Sequence, residues 1–384
     1  MNTNLNQLPR VSIDVSAVPS KPAGAGLYVW EMVGAFARLR SDNFTLIARK
    51  DDGLRWQSLS ERFSVHNKVP ESRPLRLVWE QTSMARLLEQ SKVDVHHGPH
   101  YTLPSRTSAA QVVTVHDMTF FDHPEWHEKA KVLFFRRAIA SSIKRANHVI
   151  AVSNDTANKL KQRFGELPVT VIPHGVDHTR FNRGQDLPLG VEENDGRLLA
   201  THGISGDFIA FVGTIEPRKN VPGLIKAFDR IAEKFPDLKL VLAGRPGWGV
   251  DAVDEAQGFS PNAQRIIRPG YLPADASPAM LRQAKVVAYP SLEEGFGLPA
   301  LEALACGAVL VTTSGSAMEE VVGDAALLVQ PGSIEQLAAS LEIALIDEAL
   351  RRALKARGPQ IASEYTWDAC AHAHLQVYAE AGRH

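Results

Sequence analysis

Two successive series of short apolar runs, each run separated from the next by a longer amphipathic stretch, constrain this chain more than any other feature. In the first series Val11 to Val15, Phe44 to Ala48, Val112 to His116, His148 to Val152 and Val169 to Ile172 are predicted strands. Helical periodicity falls between them, around Leu27 to Arg40, Leu75 to Gln90 and Ala130 to Ala146. Strands apolar at nearly every position are covered on both faces, so the alternation predicts parallel α/β sheets flanked by helices. Between Arg183 and Gly206 the pattern gives way to Gly, Asp, Glu, Asn and Pro, the composition of an exposed connection. It restarts with Phe208 to Val212, Lys239 to Ala243, Arg265 to Arg268, Val286 to Tyr289 and Val309 to Thr313 as strands and Pro222 to Phe235 as a helix. The expectation is two doubly wound domains, residues 1–182 and 207–360, joined by a linker at 183–206. Open parallel sheets bind ligands beyond the carboxyl ends of their strands, which places the chemistry in loops facing a cleft between the domains.

A length of 384 residues exceeds what one hydrophobic core usually supports, in keeping with two domains. The 42 Lys and Arg nearly cancel the 43 Asp and Glu, so no global field steers the chain to nucleic acid, and an anion must be held locally. The two cysteines, Cys306 and Cys370, make no disulfide framework and suit a reducing compartment. Met1 to Arg10 is polar, with no basic flank or apolar stretch of signal-peptide length, so the expected location is cytoplasmic, with contact at the inner face of a membrane. That contact is suggested by Trp126, Phe134 and Phe135 interleaved with Lys129, Lys131, Arg136, Arg137, Lys144 and Arg145, although an ordinary amphipathic helix gives the same pattern.

Three loops carry candidate chemistry. The predicted strand Phe208 to Val212 runs into Gly213-Thr214-Ile215-Glu216-Pro217-Arg218-Lys219-Asn220, after which Pro222 opens a helix with Asn220 as N-cap. A guanidinium fork and an ammonium beside the free N–H groups of a helix start make a receptor for a diphosphate. The predicted strand ending at Tyr289 leads into Glu293-Glu294-Gly295-Phe296-Gly297-Leu298-Pro299, with Glu302 in the first turn of the following helix. Glu294 and Glu302 can face one ligand, and the glycines at 295 and 297 let that ligand touch backbone. The third loop, Gly24-Ala25-Gly26, lacks the third glycine of a dinucleotide fingerprint, because residue 29 is Val, and has no phosphate-loop Lys. His96, His97 and His100, with His123 and His127, invite a metal reading, but no carboxylate or Cys completes a set, and acceptor hydrogen bonding in the cleft is the better expectation.

Glu294 and Glu302, separated by seven residues within Glu-Gly-Phe-Gly-Leu-Pro-Ala-Leu-Glu-Ala, resemble the paired-glutamate motif of retaining glycosyltransferase family 4, whose fold is GT-B. Phe211 to Asn220 is similar to that family's donor-diphosphate loop, Val115-His116-Asp117 to its active-site histidine strand, Ile172 to Asp177 to its loop before the linker, and Gly323 to Val329 to a further motif. The resemblance implies a GT-B α/β fold of two Rossmann-like domains facing a cleft, with residues 361–384 crossing back to the first domain as a terminal helix. It implies Arg218 and Lys219 on the donor diphosphate, Glu302 on the ribose, and Glu294 with the backbone of Gly295, Phe296, Gly297 and Leu298 on the transferred sugar. His116 would lie under that sugar, Gly213 and Glu216 would belong to the donor loop, and Gly24 and Gly26 would close over the phosphate. No Asp-any-Asp triplet occurs, so no metal and no cofactor beyond the nucleotide-sugar co-substrate is expected. The chain departs from the family's usual pattern at Leu27, Glu293 and His174, which leaves the acceptor open.

The function this implies is transfer of a hexose, with mannose from GDP-mannose favoured, to a glycan or lipid-linked acceptor in polysaccharide or glycolipid synthesis. UDP-sugar transfer, epimerisation or hydrolysis of a sugar nucleotide, and non-catalytic sensing are the alternatives. A retaining glycosidase also needs two carboxylates, but it does not explain Arg218 and Lys219.

Overall fold

The computed structural model describes residues 9–39, 43–184 and 191–383. The chain divides into two compact units, Met1–Gly175 with Trp367–His384, and Val176–Thr366. The first unit holds a seven-stranded sheet built from β1 (Val11–Asp14), β2 (Phe44–Arg49), β3 (Ser64–Val69), β4 (Val95–Gly98), β5 (Ala110–Val115), β6 (His148–Ala151) and β7 (Val169–Val171). Its order is β3-β2-β1-β4-β5-β6-β7, parallel throughout. The second unit repeats the plan with β8 (Phe208–Val212), β9 (Lys239–Ala243), β10 (Ile266–Gly270), β11 (Val286–Tyr289), β12 (Leu310–Thr313) and β13 (Ala326–Val329), ordered β10-β9-β8-β11-β12-β13. In each sheet the winding reverses once, between β1 and β4 and between β8 and β11.

The central strands are buried because they are apolar at consecutive positions, as in the Phe-Ile-Ala-Phe-Val of β8 and the Val-Val-Ala-Tyr of β11. Helix Val221–Ile231 covers the second sheet with Leu224, Ile225, Phe228 and Ile231 at helical spacing. β3 escapes sequence reading because it is an edge strand, Ser-Val-His-Asn-Lys-Val, whose exposed side allows polar residues. β13 is an edge as well, with three half-buried positions, and it was legible only within a motif.

His96 and His97 stand within β4, fully buried, which corrects the expectation that they line a cleft. The Ser12 hydroxyl lies 2.9 Å from His96 Nδ1, Thr114 Oγ1 lies 2.8 Å from His97 Nε2, and Tyr378 Oη lies 2.7 Å from His97 Nδ1. Burial lowers both histidine pKa values, so these rings are neutral hydrogen-bonding parts of the core. Tyr378 lies on the helix Trp367–Ala381, which packs on the helix Ala25–Arg38 and sends His374 Nε2 to within 2.7 Å of Tyr28 Oη.

The segment expected as an open linker is partly structured. Residues 185–190 lie outside the described ones, as do residues 1–8 of the polar N-terminal stretch. Helix Val191–Ala200 packs on helix Ala276–Gln283 within the second unit. Its Asp195 carboxylate accepts both Arg282 Nε, at 2.7 Å, and Nη2, at 2.8 Å, in a buried bidentate pair. The chain passes between units at residues 175/176 and again at 366/367, rather than at 182 and 360.

Candidate active site

The loop after β8 and the loop after β11 meet at the point where the second sheet reverses. They are tied by Leu292 N donating to Arg218 O at 2.7 Å, and Thr313 Oγ1 donates to Ser291 O at 2.6 Å from the next strand. Pro217–Lys219 forms a turn of 3-10 helix that aims Arg218 and Lys219 at Glu294. Lys219 Nζ donates to Glu294 Oε1, Arg218 Nη1 to Oε2, and Ser291 Oγ to Oε1 at 2.9 Å. Glu216 accepts Arg218 Nε at 3.1 Å. Glu294 is 6% exposed and Lys219 7%. Burial alone would push the Glu294 carboxyl up, but Arg218 and Lys219 and their hydrogen bonds overcome this and hold it at about 2. Burial and the neighbouring Arg218 bring Lys219 below the usual ammonium range, against the pull of Glu294. The cluster is thus a preformed anion receptor that the chain's own carboxylate fills.

Several expected details differ. Asn220 takes the N-cap position of helix Val221–Ile231 in a left-handed conformation (φ 52°) and makes no side-chain cap bond; it packs over Gly223, where a Cβ would meet its Oδ1 at 2.5 Å. Glu302 lies in the second turn of helix Leu298–Ala305, one turn deeper than expected. Gly297 has φ 101°, and a Cβ there would stand 2.4 Å from Met318 Sδ, so its bare Cα serves internal packing rather than a ligand. Phe296 and Leu298 are buried, with the Phe296 ring 6.0 Å from that of Tyr365, and these two residues can offer a ligand little more than backbone. Gly213 donates its N–H to Ala243 O at 2.9 Å, and a Cβ on the facing Gly244 would fall on the Gly213 carbonyl.

The remaining candidates belong to the first unit. Gly24 is exposed with φ 52° at the start of helix Ala25–Arg38, whereas Gly26 is buried and a Cβ on it would meet Pro19 Cδ at 2.9 Å. Gly26 is therefore fixed by packing. His116 follows β5, buried, with Nε2 2.8 Å from Pro99 O. A carbonyl only accepts, so the His116 proton sits on Nε2 and Nδ1 keeps its lone pair. Burial lowers its pKa despite Pro99 and Asp117, and the ring is neutral at pH 7. Tyr28 packs edge-on to His116 at 5.1 Å and stacks on His174 at 4.8 Å, so His174 is part of this aromatic wall. His123 stacks on Trp126 at 3.8 Å, and among the described residues no group of three His, Cys, Asp or Glu is placed to hold a metal. Sequence reasoning missed Ser291, which had no signal beyond its place before the glutamates.

Residues 202–361 match the family described as glycosyl transferases group 1, and residues 22–180 match Glycosyltransferase Family 4. The O-antigen chain mannosyltransferase B of Escherichia coli is 30% identical over 76% of this chain and 75% of its own length. The serotype-specific mannosyltransferase WbdA of Escherichia coli is 30% identical over 47% of this chain, an alignment that spans 23% of WbdA. HepE from Anabaena, solved in complex with UDP-glucose, superposes with a TM-score of 0.77 at 19% identity, covering 96% of this chain and 99% of that one. At that identity the likeness speaks for fold alone, and with the two wound sheets it identifies GT-B. The chain belongs to glycosyltransferase family 4, in its mannosyltransferase-like group, and is a hexosyltransferase of GT-B fold.

Proposed function

We propose that the chain transfers mannose from GDP-mannose, with retention of configuration and without a metal, to a glycan or lipid-linked acceptor in polysaccharide or glycolipid synthesis. The observation that carries the reading is the cluster of half-buried Arg218 with buried Lys219 and Glu294 at the reversal point of the second sheet. A donor diphosphate takes the place of the Glu294 carboxylate on the two cations, and the released carboxylate accepts hydroxyls of the sugar. The C1–O bond to the diphosphate breaks as its charge grows toward Arg218 and Lys219. The acceptor oxygen bonds to C1 on the same face, and its proton passes to a leaving-group oxygen. Glu302 holds the ribose, Gly213 and Glu216 shape the diphosphate loop, and in the first unit the exposed Gly24, rather than the packed Gly26, is the glycine open to a phosphate. Neutral His116, through Nδ1 or its backbone carbonyl, steadies the electron-poor ring.

The mannosyltransferase names of the relatives support mannose; the UDP-glucose in HepE belongs to a chain too distant to bear on the donor. Among the described residues no helix is long and apolar enough to cross a membrane. Peripheral contact through exposed Leu133 and Phe134 is retained, although Arg136 turns inward to Phe120 O and Phe121 O. The test is a panel of GDP-mannose, UDP-glucose, UDP-galactose and UDP-N-acetylglucosamine in chelator, read by melting temperature and release of nucleoside diphosphate. Stabilisation and slow turnover with GDP-mannose alone is expected; silence across the panel would sink the reading.

A further inference from the structure

The turn that carries Arg218 and Lys219 is tied on one flank to the loop after β11, chiefly through the Glu294 carboxylate. A diphosphate that takes the carboxylate's place breaks those ties. Of this flank only the backbone bond from Leu292 N to Arg218 O survives the exchange, so the loaded site needs a second support for its cations. The loop after β9 supplies one. β8 and β9 pair as far as Val212 and Ala243, and the contact continues where the strands end. Gly213 N donates to Ala243 O at 2.9 Å, Ile215 N to Arg245 O at 3.0 Å, and Gly247 N to Ile215 O at 2.9 Å, with Ile215 opposite Pro246 in a parallel bridge.

Three glycines, at 244, 247 and 249, make this approach possible, and they face residues 213, 215 and 217 in turn. A Cβ would fall on Gly213 O at position 244, overlap Ile215 O at 247, and stand 2.9 Å from Pro217 Cγ at 249. Gly249 has φ 80°, so its conformation alone favours glycine. Gly247 has no left-handed backbone to account for it. It is glycine because the Ile215 carbonyl lies against its Cα. The loop is footed on its far side as well: Gly244 N donates to Gly270 O at 2.8 Å at the end of β10, and the Arg245 guanidinium lies over the Tyr271 ring at 4.5 Å. A tight turn that only reversed the chain would need none of these contacts. The loop thus presents a fixed backbone edge along Gly213 to Pro217, one residue before Arg218.

We propose that Gly244 to Gly249 is a positioning brace, which sets where Arg218 and Lys219 stand once a diphosphate has displaced Glu294. The inference rests on the donor-site reading above. The brace acts through Ile215 and Pro217 and not by touching the donor. Gly247→Ala adds one methyl group without imposing a left-handed residue, and Ile215 must give by about 1 Å to restore ordinary contact. A displacement of that size costs about a hundredfold in rate when it falls on groups aligned for reaction.

The test compares Gly247→Ala with Gly203→Ala, a second-unit control at φ 74° whose Cβ would meet nothing within 4 Å. Three quantities are read on the full chain: affinity for whichever of GDP and UDP the wild type binds, kcat from release of that nucleotide out of its sugar conjugate, and the rate at which acetic anhydride acylates the buried Lys219, followed by mass spectrometry. Gly247→Ala is expected to bind the nucleotide about tenfold more weakly, to lose about a hundredfold in kcat, and to expose Lys219 to faster acylation. Gly203→Ala is expected to lower the melting temperature and leave all three unchanged. Wild-type affinity and wild-type acylation in a folded Gly247→Ala chain overturn the brace, and so does an equal loss in Gly203→Ala, which would tie the effect to stability. If Gly247→Ala does not fold, Gly249→Ala takes its place against the same control. If the wild type binds neither nucleotide, the donor reading falls and acylation decides alone: a faster rate in the variant keeps the brace on the two cations, and an unchanged rate removes it.

Discussion

The two units share one winding order and put their polar side chains at the same topological place, yet they treat charge in opposite ways. In the second unit Arg218 and Lys219 converge on Glu294, and full charges are kept in a buried site by mutual pairing. In the first unit His100 and His116 are kept neutral by burial, and the Glu80 carboxyl is pushed up to about 7 by burial and by nearby Asp14, against the hydrogen bonds of Thr102 and Gln81 and the charge of Arg145. A sheet reversal therefore supplies a location and not a chemistry. The loops beyond the strand ends set the local chemistry: two cations and a glutamate in one case, a strained His-Tyr turn in the other.

The largest expected effect breaks the charged half of this comparison. Lys219→Ala should lower kcat about 10²- to 10³-fold, as loss of one preorganised electrostatic contact does, while the chain remains folded. Near-normal turnover in this variant would remove the donor-site assignment. Glu302→Ala is expected to abolish transfer as well, through loss of the ribose contact, and is read by the same assay.

The next effect tests the neutral half through stability. Folded Glu80 holds its proton to about pH 7, against 4.5 for the ordinary carboxyl. Its contribution is fully present below pH 4.5 and is lost as pH rises toward 7, because the unfolded chain releases the proton first. At ~1.4 kcal/mol per unit, Glu80→Gln should gain up to about 3 kcal/mol on the wild type between those pH values in denaturant titrations. A pH-independent difference between the two chains would show that the Glu80 carboxyl is not held protonated.

A smaller shift sharpens the charged half. If Glu294 occupies the diphosphate position, Glu294→Gln should bind GDP about tenfold more tightly, ~1.4 kcal/mol, while losing transfer. Weaker GDP binding would mean that Glu294 organises the cations instead of competing for them. Smallest of all, Tyr378→Phe removes one buried hydrogen bond to His97 and should cost about 1 kcal/mol without altering turnover.

The second unit was largely legible because its elements are local. β8, β9 and β11 are continuous apolar runs, and the residues of the charged cluster lie within a few positions of their strand ends. The paired glutamates could be seen as a motif, but not that Gly297 is glycine for Met318, a contact between segments distant in sequence. Helix Val191–Ala200 was hidden because its stability comes from Arg282, 87 residues away from Asp195, while its own composition looks like a linker. The polar cluster at the first unit's sheet reversal was illegible for the same reason. Asp14, Arg76, Glu80 and His100 reach one place only through the sheet, and each alone looks like an ordinary polar residue. Asp14 ending an apolar strand was the one faint signal.

The helix Trp367–Ala381 belongs to the unit that begins the chain, and this gives translation an order. Residues 176–366 emerge as one contiguous piece and can complete their six-stranded sheet while the seven-stranded sheet still waits for Tyr378 to reach His97 and for His374 to reach Tyr28. The half that is synthesised first is thus finished last, and until then the flank of helix Ala25–Arg38 that takes helix Trp367–Ala381 stays uncovered.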